Sequence, residues 1–225
     1  MPEASLPMSA LKTPSLEAKD LSLTRTSASL GPISFTLPHA GCWWLAGASG
    51  AGKSLLLESL AGFHAEAEGS ICVSGEEISH CAPERRSIAL MPQRWRLFPH
   101  WSVFRNLRFA AKLGGEHPDR TGQLTRHLHV RHLLDRPTRA LSGGETQRIA
   151  LIQTLLSPAK ILLLDEPLSA VDAALQSLVL DLLREEAAAR QRICLIAAHK
   201  PFAGQPMEGT LLIQNGLLLS HPETV

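Results

Sequence analysis

The chain contains no tyrosine, and its six phenylalanines and four tryptophans bring the aromatic content to only 4%. Few rings are therefore available for stacking on a flat ligand. Cysteine is scarce too. The four present (Cys42, Cys72, Cys81 and Cys194) are scattered without metal-ligand spacing, which excludes a zinc module or a disulfide framework and points to a reduced, intracellular protein. No apolar run approaches the ~18 residues that a membrane-spanning helix requires. The N-terminal MPEASLPMSALKTPSLEAKD has no basic-then-apolar signal pattern, so residues 1–17 are expected to form a disordered leader. An excess of either charge is also lacking: the formal net charge is +1, which supplies no broad attraction to nucleic acid or anionic lipid. Internal repeats and low-complexity segments are absent. What remains is an ordinary globular composition, 44% hydrophobic and 19% charged over 225 residues. That length suits one large domain, or one domain carrying a subdomain.

The most informative stretch runs from 141 to 167, LSGGETQRIALIQTLLSPAKILLLDEP. Ser142, Gly143 and Gly144 are small residues that leave backbone N–H groups uncovered at the start of a helix. The spacing of Ile149, Ile152, Leu155 and Leu156 predicts that helix over about 145–156. Such an N-terminus suits an anion such as phosphate. Ser157-Pro158 stops it. Ile161 to Leu164 is too short and too apolar for a surface helix and reads as a strand buried on both faces. Asp165 and Glu166 close that strand, and Pro167 ends its pairing.

Further towards the N-terminus, two short strands are expected within 21–37, LSLT and ISFTL, separated by a Gly31-Pro32 turn. Cys42 to Ala46 reads as a buried strand. It runs into Gly47, Ala48, Ser49, Gly50, Ala51, Gly52, Lys53 and Ser54, and then into a helical Leu55–Leu60. Strand, glycine loop and helix in that order are the context of a P-loop. Its backbone N–H groups wrap the β- and γ-phosphates, Lys53 adds a point charge, and the Ser54 hydroxyl suits Mg²⁺. A hairpin is expected at 69–78 and a short strand at 88–91, ending at Pro92-Gln93. From Trp95 to Ala140 strand signals vanish and interrupted helical patterns take over, as in a helical subdomain of about 95–140. Within it, His129 and His132 could share a helix face. The neighbouring arginines oppose a cation there, so a solvated basic face is the better reading. Asp172 is placed to cap a long helix over 173–190. A buried strand at 193–197 leads to His199, and Asn215-Gly216 turns a final hairpin.

Taken together, these residues resemble the nucleotide-binding subunits of ABC transporters from Leu21 onward. Five motifs match in order: the P-loop Gly47–Ser54, a glutamine-loop Gln93, the signature Leu141-Ser142-Gly143-Gly144-Glu145, the acidic strand end Asp165-Glu166, and a switch histidine, His199. The resemblance implies an α/β fold of the P-loop NTPase, ABC ATPase type. A mostly parallel core sheet would carry an N-terminal antiparallel β subdomain and an inserted helical subdomain, all within 18–225. It also implies ATP and Mg²⁺ as ligands. Two subunits would sandwich each ATP between one P-loop and the other subunit's Ser142–Gly144. Asp165, with Ser54 and Gln93, would serve the metal; Glu166 would polarise the attacking water; Lys53 and His199 would contact the γ-phosphate.

Partners implied by the same resemblance are a second ATPase subunit, membrane permease subunits docking near 93–108, and indirectly a substrate-binding protein. No nucleic acid is expected, and the location would be peripheral, on the cytoplasmic side of the inner membrane. The run LFPHWSVFRNLRF is similar to importer cassettes for molybdate and related oxyanions. Those usually carry a C-terminal regulatory domain, whereas this sequence stops at Val225. A soluble ATPase in DNA repair or translation is the alternative. Departures from the family pattern include the region of Thr24-Arg25-Thr26, which lacks the usual base-stacking ring. Arg25 could stack there by its guanidinium plane. Glu145, Gln153, Val171 and Lys200 also replace commoner residues. Pro201, Gly204 and Pro206 break the helix usually found after His199.

Overall fold

The computed structural model describes residues 14–25, 28–95, 97–200 and 207–220. The chain opens with β1 (Leu16–Thr24) and β2 (Ser29–Leu37), then β3 (Gly41–Ala46) and α1 (Lys53–Ala61). Next come β4 (Glu68–Val73), β5 (Glu76–Glu77) and β6 (Ile88–Met91). A helical stretch follows, with α2 (Val103–Gly114), α3 (Pro118–His127) and α4 (Gly143–Leu155). The chain then alternates through β7 (Ile161–Asp165), α5 (Ala173–Arg190), β8 (Ile193–Ala198), β9 (Gly209–Gln214) and β10 (Leu217–Ser220).

Two sheets organise these elements. One has the order β2-β1-β4-β5 and is antiparallel throughout. The other has the order β10-β9-β3-β8-β7-β6, with parallel pairing everywhere except at the β9–β10 hairpin. Side chains on its central strands alternate between two cores. Trp43, Leu45, Ile161, Leu163, Ile193 and Leu195 pack towards α1 and the antiparallel sheet. Cys42, Trp44, Leu162, Leu164, Cys194 and Ile196 pack towards α4, α5 and the inserted helices. Both faces are covered, which is why these strands read as unbroken apolar runs rather than alternating ones.

The N-terminal stretch departs from expectation. β1 begins at Leu16, which is fully buried and pairs with Leu37 and Val73, so it starts inside the segment expected to be a leader. Gly31-Pro32 does not separate two strands. It lies within β2, and the register shift opposite it, between Leu21 and Leu23 of β1, absorbs the irregularity as a bulge. The reversal lies instead between Thr24 and Ser29, where the Arg25 amide donates to the Ala28 carbonyl.

Between Trp95 and Ala140 the described residues contain no extended strand, only α2, α3 and short 3₁₀ turns at Arg131–Leu133 and Thr138–Ala140. Two ion pairs tie this part to α5: Arg120 of α3 to Glu186, and Arg190 of α5 to Glu116 in the α2–α3 connection. His127, His129 and His132 are exposed but share no helix face. α3 ends at His127, His129 follows with φ 53°, and His132 stands in a 3₁₀ turn. No helix among the described residues is long and apolar enough to cross a membrane.

Candidate functional site: a phosphate loop closed by two carboxylates

The C-terminal ends of four neighbouring parallel strands deliver the predicted groups to one edge of the sheet. β3 runs into the glycine loop, β6 towards Gln93, β7 into Asp165 and Glu166, and β8 into His199. Ligands of open α/β sheets bind along that edge. A cavity of about 430 Å³ lies there, lined by Ser49, Gly50, Gly52, Lys53, Ser54, Gln93 and Glu166 among others. Helix α1 starts at its floor. Gly52 takes the N-cap position with φ 106°, and no side chain caps the helix, so its first amides are left for an anion.

Lys53 is 5% exposed, and its ammonium donates to the carbonyls of Gly47 at 2.8 Å and Ala48 at 3.0 Å. The loop thus positions a desolvated positive charge beside its own amides. Asp165, 4% exposed, receives a hydrogen bond from Ser54. Burial pushes the Asp165 carboxyl above the usual carboxylate range, the Ser54 bond opposes that rise, Glu166 adds to it, and Lys53 opposes it. Gln93 donates from Nε2 to Oε2 of Glu166 at 2.9 Å. These are hard oxygen donors, few in number, and a cation that keeps its waters and binds through phosphates needs only one or two carboxylates. Ser54, Asp165 and the amide oxygen of Gln93 therefore fit Mg²⁺.

Glu166 has φ 52°, unusual for a side-chain-bearing residue, and its amide donates to the Ala197 carbonyl at 3.1 Å. It also lines a second cavity of about 330 Å³, shared with Pro167, Gln176 and the exposed His199. The two cavities meet at this one carboxylate.

Ser142, Gly143 and Gly144 do not line the phosphate-loop cavity. Ser142 caps α4, with Oγ accepting from the Glu145 amide at 3.3 Å, while Glu145 Oε2 accepts from the Ser142 amide at 2.7 Å. This reciprocal capping box explains glutamate at 145. The Ser142 amide holds that carboxyl below its ordinary range. The Gly143 and Gly144 amides still lack intrahelical acceptors, which leaves them available to an anion outside the first cavity.

The family model described as "ABC transporter" matches residues 30–169. The chain belongs to the ABC transporter family. The cassette is 42% identical over 142 residues to the molybdate/tungstate import ATP-binding protein WtpC of Archaeoglobus fulgidus, covering 62% of this chain and 59% of that one. It is 36% identical to the WtpC of Methanocaldococcus jannaschii over 76% of this chain and 58% of that one. It is also 42% identical to the maltose/maltodextrin import ATP-binding protein MalK of Yersinia pestis, over 58% of this chain and 36% of that one. The chain thus spans little more than half the length of the first of these relatives. The fold is that of solved ABC cassettes. An ATP-binding subunit of an ABC transporter superposes with TM-score 0.80 at 23% identity, covering 93% of this chain and 90% of that one. A nucleotide-free cassette gives TM-score 0.78 at 20% identity, covering 92% and 90%.

Several residues of the cassette's site went unread in the sequence. Ala28, Ser29, Asn215 and Gly216 complete the wall of the first cavity. The Asn215-Gly216 turn was legible as a hairpin, but its place was not. It is clamped onto the phosphate loop by Gly216 N–H to the Ala51 carbonyl at 2.9 Å, and onto β2 by Gly31 N–H to the Gly216 carbonyl at 2.8 Å. A Cβ on Gly216 would stand 2.2 Å from the Ser29 carbonyl oxygen, so only glycine fits. Arg25 does not line the cavity; it pairs with Glu66 at 3.0 Å. Gln153 accepts from Trp95 Nε1 at 2.8 Å and donates to the Asn106 carbonyl at 3.3 Å, linking the glutamine loop to α2 through α4. Residues 201–206, where the helix after His199 was expected to be broken, lie outside the described residues.

Proposed function

We propose that this cassette binds ATP with Mg²⁺ and hydrolyses it to ADP and phosphate, as one of two like subunits that power a membrane importer. The observation that carries the proposal is the convergence of Lys53, Ser54, Gln93, Asp165 and Glu166 on one sheet edge above an uncapped helix start. The amides of Gly47–Ser54 and the Lys53 ammonium hold the phosphates by position and charge, which is most of what phosphoryl transfer asks of a protein. Ser54, Asp165 and Gln93 would hold Mg²⁺, whose chemistry is to neutralise charge on the β- and γ-oxygens. Glu166 accepts a proton from the attacking water as general base. Gln93 orients its carboxylate through the 2.9 Å hydrogen bond. His199, which lines the second cavity together with Glu166 rather than the first, would contact the γ-phosphate from that side.

Ser142, Gly143 and Gly144 serve the nucleotide of a second subunit, a reading supported by their absence from the lining of this chain's own phosphate cavity. The permease contact is the surface after Gln93. Phe98, Trp101 and Phe109 cluster with ring centroids 4.5 to 5.6 Å apart, Arg105 lies 4.3 Å from the Trp101 ring, and Phe98 and Phe104 are 46% and 48% exposed. Aromatic and arginine anchors of this kind suit a short helix of the membrane subunits. The cassette would then sit peripherally on the cytoplasmic face of the cell membrane, fed indirectly by a substrate-binding protein. The names of the archaeal relatives favour molybdate or another oxyanion as cargo. They also weigh against a soluble role in DNA repair or translation.

Glu166→Gln tests the central claim. It should keep ATP binding, lose ~10²–10⁴-fold in turnover, and accumulate as an ATP-bound dimer on size exclusion. Turnover within fivefold of wild type would remove Glu166 from this role.

A further inference from the structure

We infer that Gln147, on the second turn of α4, is a positioning residue for Glu166, and that it couples the signature end of α4 to the loop carrying the base. The inference rests on the hydrolytic reading above. The side-chain amide of Gln147 is nearly saturated. Its Nε2 donates to the Glu166 carbonyl oxygen at 2.8 Å and to Ser169 Oγ at 3.0 Å, and its Oε1 accepts from the Ala170 amide at 3.1 Å.

Every one of those partners lies on the segment from Glu166 to Ala170, and none lies on α4 itself. Glu166 occupies a left-handed conformation at φ 52° that a glutamate does not adopt by preference. Its amide is pinned to β8 through Ala197, and its carbonyl is pinned to α4 through Gln147. The carbonyl also accepts from the Ser169 amide at 3.2 Å, but that bond lies within the same loop. Without Gln147 the loop loses its hydrogen bonds to α4, so the Glu166 carboxylate is free to leave the line set by Gln93.

A second contact seats the same loop on α4. Gly144, three residues before Gln147, lies so close to the loop that an added Cβ would be 2.7 Å from the Ala170 carbonyl oxygen. The helix end that would meet the other subunit's nucleotide and the loop that carries this subunit's base therefore form one packed unit. An anion drawn onto Gly143 and Gly144 acts on Glu166 through Gln147.

Gln147→Met fills nearly the same volume without any of the three hydrogen bonds. Gln147→Glu keeps the acceptor for Ala170 and loses both donors. Both variants should lower kcat by ~10–100-fold, the scale of an ångström-level misplacement of a catalytic group. Both should leave the KM for ATP, and ATP binding measured by fluorescence, within twofold of wild type. Because Gln147 acts through Glu166, adding Gln147→Met to Glu166→Gln should lower the residual rate no further.

Normal turnover in both Gln147 variants, beside a dead Glu166→Gln, would overturn the inference and leave the hydrolytic reading intact. So would a double variant clearly slower than Glu166→Gln alone, or a loss of ATP binding equal to the loss of rate, since either marks a general scaffold contact. If Gln147→Met does not fold, the Gln147→Glu measurements decide alone. Near-normal turnover in Glu166→Gln would instead sink the hydrolytic reading itself, whatever the Gln147 variants do.

Discussion

At the scale of single residues, the two buried charges of the site, Lys53 and Asp165, are held away from water by a few specific partners. Lys53 spends its ammonium on two loop carbonyls, and Asp165 is held by Ser54 in a nearly closed setting. Burial is the largest influence on Asp165 and raises its pKa. The sign of the consequence follows. A carboxyl whose folded pKa exceeds its unfolded one binds its proton more tightly in the fold, so ionising it costs stability. That cost is present at neutral pH and disappears as pH falls through the folded pKa into the unfolded carboxylate range. Asp165→Asn should therefore raise the Tm of the nucleotide-free protein at pH 7, with the gain shrinking as the buffer is made acidic. The same variant should lose the extra stabilisation that Mg²⁺ adds to bound ATP. Thermal melts with and without MgATP across that pH range check both. A lower Tm at neutral pH would show that the Ser54 and Lys53 contacts outweigh burial.

Among the elements, α4 and α2 do the most. α4 carries the capping box at its start, Gln147 on its second turn and Gln153 on its third, and so touches the Glu166–Ala170 loop, the glutamine loop and α2. α2 turns Val103, Asn106, Leu107 and Ala111 inward and leaves Phe104, Phe109 and Leu113 outside. Phe109 joins Phe98 and Trp101 in one partly exposed ring cluster, and exposed apolar surface of this kind often marks an interaction site. Phe104→Ala and Trp101→Ala should leave basal ATPase within about twofold, because surface truncations away from a core rarely disturb the fold. Both should weaken co-purification with the membrane subunits. If ATPase falls while partner binding holds, the face belongs to the catalytic unit and docking occurs elsewhere.

For the whole molecule, strand order matters more than any single contact. The order β3-β8-β7-β6 brings segments more than a hundred residues apart to one edge, yet it leaves Ser142–Gly144 outside the cavity they would need to reach. The proposal that two subunits act together in each turnover can be tested by complementation. Lys53→Ala should abolish nucleotide binding. Ser142→Arg should bind ATP as a monomer but not hydrolyse it. Mixed together, the two inactive proteins should recover part of the activity, because a mixed dimer contains one composite site with both an intact phosphate loop and an intact signature. No recovery, with mixed dimers demonstrated, would mean that the signature serves its own chain's nucleotide.

The sequence alone determined what depends on near neighbours along the chain. Glycine and lysine spacing defined the phosphate loop, helical periodicity and caps defined α4 and α5, apolar runs marked the buried strands, and Asn215-Gly216 marked the last hairpin. α5 begins and ends where that reading placed it, with Asp172 accepting from the Leu175 amide at 2.9 Å. Tertiary structure decided the rest. It made Gly31-Pro32 part of a bulged strand, because β1 on one side and the Asn215-Gly216 turn on the other hold it there. It split His129 from His132, gave Arg25 to Glu66, turned Phe98 outward, and set Gln147 against Glu166. The physical reason is range. Periodicity and turn chemistry act over a few residues and are written in the local order of side chains. Which distant segments meet depends on how the strands are ordered in the sheet, and that order is settled only when the two cores pack.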